Sequence, residues 1–387
     1  MMLRFRTTTA LLGALVFLTI PSFAFAQQEP ASLPQDEYLR AKVLSVEEKG
    51  TQQDSLGETD RVTDYRVRLE SGPEKGDEVR IEGSVFNANG NQRSINVGDR
   101  VVVVKSAQLD GSERWYMADN YRLPTLFWMT LGFFVLAVAF GGWRGFTSIL
   151  GLGASVFIIL GYIVPRILGG GNPFTATLIG TFGIAAVSLY LAHGFNKRTS
   201  VAFVGTIITL ALSALAAAFA VSIARMNGMG DEHALYLQNG DFGAIDLRGL
   251  LLGGIMLGVL GVLDDITTAQ SAVVDELKRA NPSLPFKELY KRGLSVGREH
   301  IASLVNTLFL AYAGASLPLF MLFTVYRDQP VWFLLNNEVI SEEIVRTLVG
   351  SVCLILAVPI TTALAAAIFG KTGPDETTDH QGHAHVH

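Results

Sequence analysis

Cysteine and charged residues are both scarce in this chain of 387 residues. It has a single cysteine, Cys353, and only 17% of its residues are charged. One cysteine cannot form an internal disulfide or a thiolate metal site, so both are excluded. The position of Cys353 in a late apolar run predicts a small buried hydrophobic residue. The low charge, with 49% hydrophobic residues and 39 glycines, excludes an ordinary soluble domain and indicates a multi-pass membrane protein.

The sequence also lacks the basic surface of a nucleic-acid-binding protein. Its formal net charge is −5, and no cluster or alternation of basic and aromatic residues stands out. We therefore expect the lipid bilayer as a partner and no nucleic acid. No internal repeat is evident, so an inverted-repeat transporter is neither supported nor excluded. A homo-oligomer is left open as well.

The N-terminus carries the signals of export. Residues 1–26 carry Arg4 and Arg6 near their start, continue with an apolar stretch and end in Ala24-Phe25-Ala26, which is the pattern of a secretory signal peptide. The alternative is an uncleaved membrane anchor, but the apolar stretch is shorter than the ~20 residues that a span needs. In either case we expect the following segment outside the cytoplasm.

Residues 27–121 have the composition of a small soluble β domain. Five short runs of alternating or β-branched residues predict five strands, and Gly-Asp turns begin two of them. This pattern predicts a small exported β-barrel of OB-like type. The predicted strands are Leu39–Val46, Arg61–Leu69, Glu78–Phe86, Arg100–Lys105 and Trp115–Ala118.

Residues 122–370 contain the long apolar runs, which predict an α-helical bundle of about seven transmembrane helices. Lysines and arginines concentrate in alternate connections, above all from Lys278 to Arg298. By the positive-inside rule, we expect that loop and the C-terminus to lie in the cytoplasm. The predicted spans are Thr125–Phe140, Phe146–Val164, Phe174–Ala192, Val201–Ala224, Leu250–Ala272, Ile301–Val325 and Ile344–Phe369.

The fifth predicted span contains the residues that are most costly to place in lipid. It carries two adjacent acids, and one Asp at the centre of a span costs roughly 2.5–3.5 kcal/mol on insertion scales. At about 100° per residue, the polar residues that follow form a stripe on an otherwise apolar helix. The site residues predicted on this span are Asp264, Asp265, Thr267, Thr268, Gln270 and Ser271.

A second polar stretch opens the sixth predicted span. If the two spans are antiparallel neighbours, a rise of ~1.5 Å per residue places their polar faces at similar depth. Carboxylate, hydroxyl and amide oxygens suit a small hard cation, and a carboxylate can also carry a proton. In the plainer interpretation, the Asp pair caps a helix break and the sixth-span acid pairs with a nearby base. The site residues predicted here are Glu299, His300, Asn306 and Thr307.

The C-terminal tail, residues 371–387, is polar and rich in histidine. We expect it to be disordered and cytoplasmic. Histidine-rich tracts bind transition metals loosely, so the tail is a candidate metal site without fixed geometry. No cofactor is identified by the sequence. The candidate ligands are His380, His383, His385 and His387.

Residues from about 120 to 370 resemble the YibE/F-like family of bacterial multi-pass membrane proteins. The similarity rests on GVLDDITTAQSAVVDEL (261–277), on GREHIASLVNTLFLAYAGASLPL (297–319) and on Val358-Pro359. Glu299 departs from the family pattern, in which we expect Asp. The resemblance implies a multi-pass protein of the bacterial cell (cytoplasmic) membrane with a functional centre on the fifth and sixth spans, and it implies no particular activity.

Three functions remain to be compared. The leading hypothesis is a solute or ion transporter with a polar site between the fifth and sixth spans, coupled to a small cation or H⁺. An intramembrane aspartyl protease needs carboxylates on facing helices, whereas Asp264 and Asp265 are adjacent on one helix, so we expect no enzyme. The alternative is a membrane-anchored structural or signalling protein whose exported β domain binds a partner. That alternative predicts that both acids tolerate replacement.

Overall fold

The protein is described from a computed structural model, which covers residues 36–53, 59–83, 95–108, 112–230, 232–239 and 245–371. The chain divides into two compact units, Met1–Thr130 and Leu131–His387. Their boundary falls inside the first long helix, shortly after the predicted end of the β domain. The predicted signal peptide, and all four histidines of the tail, lie outside the described residues.

The first unit is a five-stranded antiparallel sheet in the order β3-β2-β1-β4-β5. Side chains of a strand alternate between its two faces, and one face buries Val43, Val67 and Val101 in a common core. Each predicted strand overlaps one observed strand. The strands are β1 (Glu37–Gln53), β2 (Thr59–Leu69), β3 (Glu78–Gly83), β4 (Arg100–Ala107) and β5 (Glu113–Asn120).

The sheet is curled. Its outer strands β3 and β5 contact each other, and two register shifts in β1, at Val43/Ser45 and Glu48/Gly50, bend that long strand. Within the described residues, however, no hydrogen-bonded ladder joins β3 to β5. The domain is therefore a curled sheet, whereas the sequence led us to expect a barrel.

The other elements are helices, and most are long and apolar. Several begin with an asparagine or aspartate cap, such as Asn196, whose side-chain oxygen accepts a hydrogen bond from the backbone N–H of Thr199 at 2.8 Å. The helices are α1 (Leu123–Ile158), a π-helical stretch (Ile159–Ile163), α2 (Val164–Leu168), α3 (Pro173–His193), α4 (Lys197–Ile223), α5 (Glu232–Asn239), α6 (Leu247–Ala280), α7 (Phe286–Ala315), α8 (Leu317–Val325), α9 (Val331–Leu335) and α10 (Glu338–Phe369).

The number of spans differs from the prediction. In the described part of the chain, five helices are long and apolar enough to cross a membrane, or six if the pair α7–α8 counts as one span. The prediction of seven is therefore wrong. The first two predicted spans belong to one helical stretch, Leu123–Leu168, and the predicted sixth span is broken at Ser316 by a bend of 66°.

The helical stretch Leu123–Leu168 bends sharply at Gly142, where φ is 57° and ψ is −139°. A Cβ added to Gly145 would lie 2.0 Å from the carbonyl oxygen of Ala137, although eight residues of straight helix rise by about 12 Å. Glycine accepts this positive φ without a steric penalty. A single residue therefore replaces the polar connection that normally separates two spans, which is why the count differs.

α6 is the central helix of the second unit. It packs against α3, α4, α7 and α10, and glycines allow the closest approaches. A Cβ added to Gly253 would lie 2.6 Å from the Thr177 hydroxyl on α3, and one added to Gly297 of α7 would lie 2.4 Å from a methyl group of Val358 on α10. Small residues at such positions let helix backbones approach closely.

α10 begins at Glu338, six residues before the predicted start of the last span at Ile344. The added turn holds the connection after α4. The backbone N–H groups of Asn227 and Gly228 donate to Glu338 Oε1 at 2.5 and 2.9 Å, and that of Gly230 donates to Glu342 Oε1 at 3.0 Å. Glu338 and Glu342 therefore fix the loop that follows α4.

Candidate functional site

Asp264 lies on the face of α6 that meets α3. Its Oδ2 accepts a hydrogen bond from the Ser188 hydroxyl at 2.8 Å. Its other oxygen, Oδ1, is buried and has no hydrogen-bond partner among the described residues. Most buried polar atoms in folded proteins have such a partner, so an incompletely bonded carboxylate inside an apolar helix calls for a specific explanation.

Thr267 and Thr268 continue the polar stripe by one turn. The hydroxyls of Thr267 and Thr206, on α4, lie 2.8 Å apart in a fully buried position, and Thr267 also donates to the carbonyl oxygen of Leu263 at 2.8 Å. Thr206 is therefore the donor to Thr267. The Thr268 hydroxyl donates to the carbonyl oxygen of Asp264 at 2.8 Å. The first threonine joins two helices, and the second stays within α6.

Gln270 and Ser271 connect α6 to its other neighbours. The Gln270 side-chain amide donates to the carbonyl oxygen of Gly293 on α7 at 2.9 Å and to the Thr362 hydroxyl on α10 at 2.7 Å. The Ser271 hydroxyl donates to the carbonyl oxygen of Arg198 at the start of α4, at 2.9 Å. These two buried residues hold helices together, which positions the neighbouring acids.

Asp265 is one residue further round the helix and is exposed to a cavity of ≈ 340 Å³. The cavity is contributed by α1 after its bend, the end of α3, the start of α4 and the middle of α6. Most of its lining groups are polar. The lining residues are Arg144, His193, Asn196, Arg198, Thr199, Ala202, Asp265, Thr268 and Ala269.

The four residues predicted on the sixth span lie on α7 and are all exposed. The Thr307 hydroxyl donates within its own helix, to the carbonyl oxygen of Ser303 at 3.0 Å. The face of α7 that meets α6 contains Gly293 and Gly297 instead, both within reach of Gln270. Within the described residues, the structure thus gathers the predicted α6 residues with α3, α4 and α10, and it leaves Glu299, His300, Asn306 and Thr307 outside this cluster.

The sequence did not reveal the partners of the α6 acids. Ser188 and Thr206 are single hydroxyls in apolar spans, where serine and threonine are common, so their signal was weak. Arg144, His193 and Arg198 read as ordinary charges of connecting segments. Only the fold shows that these segments line one cavity with Asp265.

Among the described residues, no group of three or more His, Cys, Asp or Glu side chains is placed to hold a metal ion. The histidine-rich tail lies beyond the described residues, and its role as a metal site stays a prediction. Cys353 is buried and 1% exposed, which confirms its prediction as an interior residue.

Long apolar helices packed around a central helix that carries one polar stripe indicate a membrane protein. Residues 129–371 match the family described as YibE/F-like protein. Because this match covers more than half of the chain, the protein belongs to the YibE/F-like family, which confirms the resemblance seen in the sequence. No curated protein and no solved structure matches the chain.

Proposed function

We propose that the protein is a transporter of a small solute or ion in which Asp264 and Asp265 bind and release a coupling proton or small cation. The observation that carries this proposal is the Asp264 carboxylate. One of its oxygens is bonded to Ser188, and the other is buried with no partner among the described residues. A carboxylate that only stabilises the fold is normally fully bonded or paired, whereas one that exchanges a proton or a cation needs a free oxygen.

The cavity beside Asp265 supports the same proposal. A coupling group must be reached from one side of the membrane, and Asp265 is exposed to a polar cavity whereas Asp264, the preceding residue, is partly buried. In this proposal Asp265 receives the ion and Asp264 holds it further inside. Thr267, Gln270 and Ser271 are positioning residues because their side chains bond neighbouring helices.

The test is ion flux through the purified full-length protein in liposomes. A trapped dye reports proton or sodium entry while gradients of candidate solutes are imposed. We expect Asp265→Asn to reduce the flux to that of empty liposomes, because an amide cannot bind and release a proton or a cation as a carboxylate does. The matched control is Asp275→Asn on the same helix, whose carboxylate pairs with Arg279 at 3.1 Å. It should keep wild-type flux.

Two results would contradict the proposal. One is wild-type flux in Asp265→Asn, which would favour the anchored structural or signalling protein. The other is no flux above empty liposomes for the wild type under any gradient. Thermal unfolding of each variant separates a lost site from a lost fold, since replacing an exposed carboxylate by an amide of the same length should change stability by less than about 0.5 kcal/mol.

We also propose that the first unit lies outside the cytoplasm of a bacterial cell, with the α6–α7 connection inside. The basic residues near that connection and the export signal of the N-terminus support this topology. Single cysteines are placed at Lys75 and Lys287, both exposed, in a Cys353→Ala background. An impermeant maleimide should label Lys75→Cys in intact cells and Lys287→Cys only after permeabilisation. The reverse pattern would overturn the topology.

A further inference from the structure

Basic groups dominate the cavity beside Asp265. Two guanidinium groups, Arg144 from the bend of α1 and Arg198 from the first turn of α4, face a single carboxylate in the lining. The remaining polar lining groups are His193, Asn196 and the threonines. Two fixed positive charges against one negative charge give the cavity a positive potential, which favours an anionic ligand.

Within the residues that the structure describes, Arg144 and Arg198 form no ion pair, although Asp265 lines the same cavity. Arginines that only set membrane orientation need no fixed place within a connection. Here the two arginines come from the bend of α1 and the start of α4, and both line the same cavity. Two guanidinium groups placed in this way can hold an oxyanion through paired N–H donors.

The start of α4 adds to this potential. Asn196 caps the helix, and Thr199, whose N–H it binds, also lines the cavity. The positive end of a helix dipole favours a nearby anion. The cavity volume, ≈ 340 Å³, lies at the lower end of the range of ligand pockets, so the ligand is small.

We propose that this cavity binds a small oxyanion, a ligand carrying a phosphate or carboxylate group, held by Arg144 and Arg198. The inference rests on the proposed transport function and names its substrate class. Asp265 then has a defined role. Its negative charge opposes the anion, so a proton or cation taken up at Asp265 strengthens anion binding, and by linkage the anion strengthens that uptake. This coupling is what symport of an anion with a cation or proton requires.

The direct test is anion binding by the full-length protein in detergent. Thermal unfolding, followed by tryptophan fluorescence, is measured against inorganic phosphate and succinate at constant ionic strength set with sodium chloride. We expect a saturable rise in Tm with at least one probe. The double variant Arg144→Gln/Arg198→Gln should weaken the apparent affinity at least tenfold. Arg248→Gln, an exposed arginine at the start of α6 with the same charge change, is the control and should match the wild type.

Asp265→Asn gives the second variant, and its expected effect has the opposite sign. Loss of the opposing charge should tighten binding of the same probe several-fold, while the flux assay shows no transport. A simple loss of folding cannot produce tighter binding. Tm without any anion reports the stability of each variant separately.

The inference is overturned if Tm rises without saturation, or if the double arginine variant binds as tightly as the Arg248→Gln control. Unchanged or weaker binding by Asp265→Asn would also overturn it, because the carboxylate would then not oppose the ligand. These results are independent of flux. Anion binding without transport would defeat the proposed function alone, and transport without anion binding would defeat this inference alone.

Discussion

α6 and α7 carry polar residues at similar density in the sequence, but they use them in opposite ways. The side chains of Asp264, Thr267 and Gln270 on α6 are hydrogen-bonded to α3, α4, α7 and α10. Those of the predicted α7 site are exposed, and α7 meets α6 through glycines. Polar composition alone therefore does not identify a buried site. In this protein the polar stripe is largely buried on α6, which packs against four long helices, and the predicted polar residues are exposed on α7.

The packing of the two helices explains this difference. α6 packs against four long helices, so most polar groups on its buried faces must be bonded or remain buried without a partner. α7 contacts mainly α6 and α10, and the first part of it is amphipathic and charged. Its polar side chains can point outward at little cost, as surface residues do.

The largest stability effect is expected where α7 touches its neighbours. Gly297→Leu should destabilise the protein by about 1–3 kcal/mol, because overpacking a close contact forces backbone shifts. Even the first added atom would lie 2.4 Å from Val358 and 2.9 Å from Gln270. The control is Gly254→Leu on α6, where an added Cβ meets nothing within 4 Å. Thermal unfolding in detergent measures both, and equal Tm values would contradict the packing described here.

A smaller effect should separate the two polar faces directly. Gln270→Leu removes hydrogen bonds to Gly293 and Thr362 and should cost about 1 kcal/mol, since it leaves a buried carbonyl group without its donor. Asn306→Leu on the exposed face of α7 should change stability by less than about 0.5 kcal/mol. Chemical denaturation of both variants tests this. A larger loss for Asn306→Leu would reverse the comparison.

Local patterns predicted the elements well and the contacts between them poorly. Strand alternation identified each of the five strands, and the cost of Asp264 and Asp265 in an apolar run singled out α6. Each of these signals is contained within one short segment of the sequence. The bend at Gly142 joined two predicted spans because a single glycine can reverse the chain without a polar loop, and no hydropathy pattern records that.

The cavity shows why the sequence alone could not predict the other residues of the site. Arg144 and Arg198 are separated by more than 50 residues in the sequence, and only the positions of α1 and α4 around α6 bring them to Asp265. Similarly, whether Asn306 is exposed depends on which face of α7 packs against α6. The spacing of Gly293 and Gly297 does indicate the packed face of α7, since small residues four apart mark a close helix contact.

The central claim is that function depends on the α6 carboxylates and is independent of the α7 acid. The most direct measurement compares Asp264→Asn with Glu299→Gln in the same liposome flux assay, at equal amounts of folded protein. Each change replaces one carboxylate by the amide of the same length. The account predicts that flux disappears in Asp264→Asn and stays at the wild-type level in Glu299→Gln. Full flux in Asp264→Asn, with loss in Glu299→Gln, would contradict it.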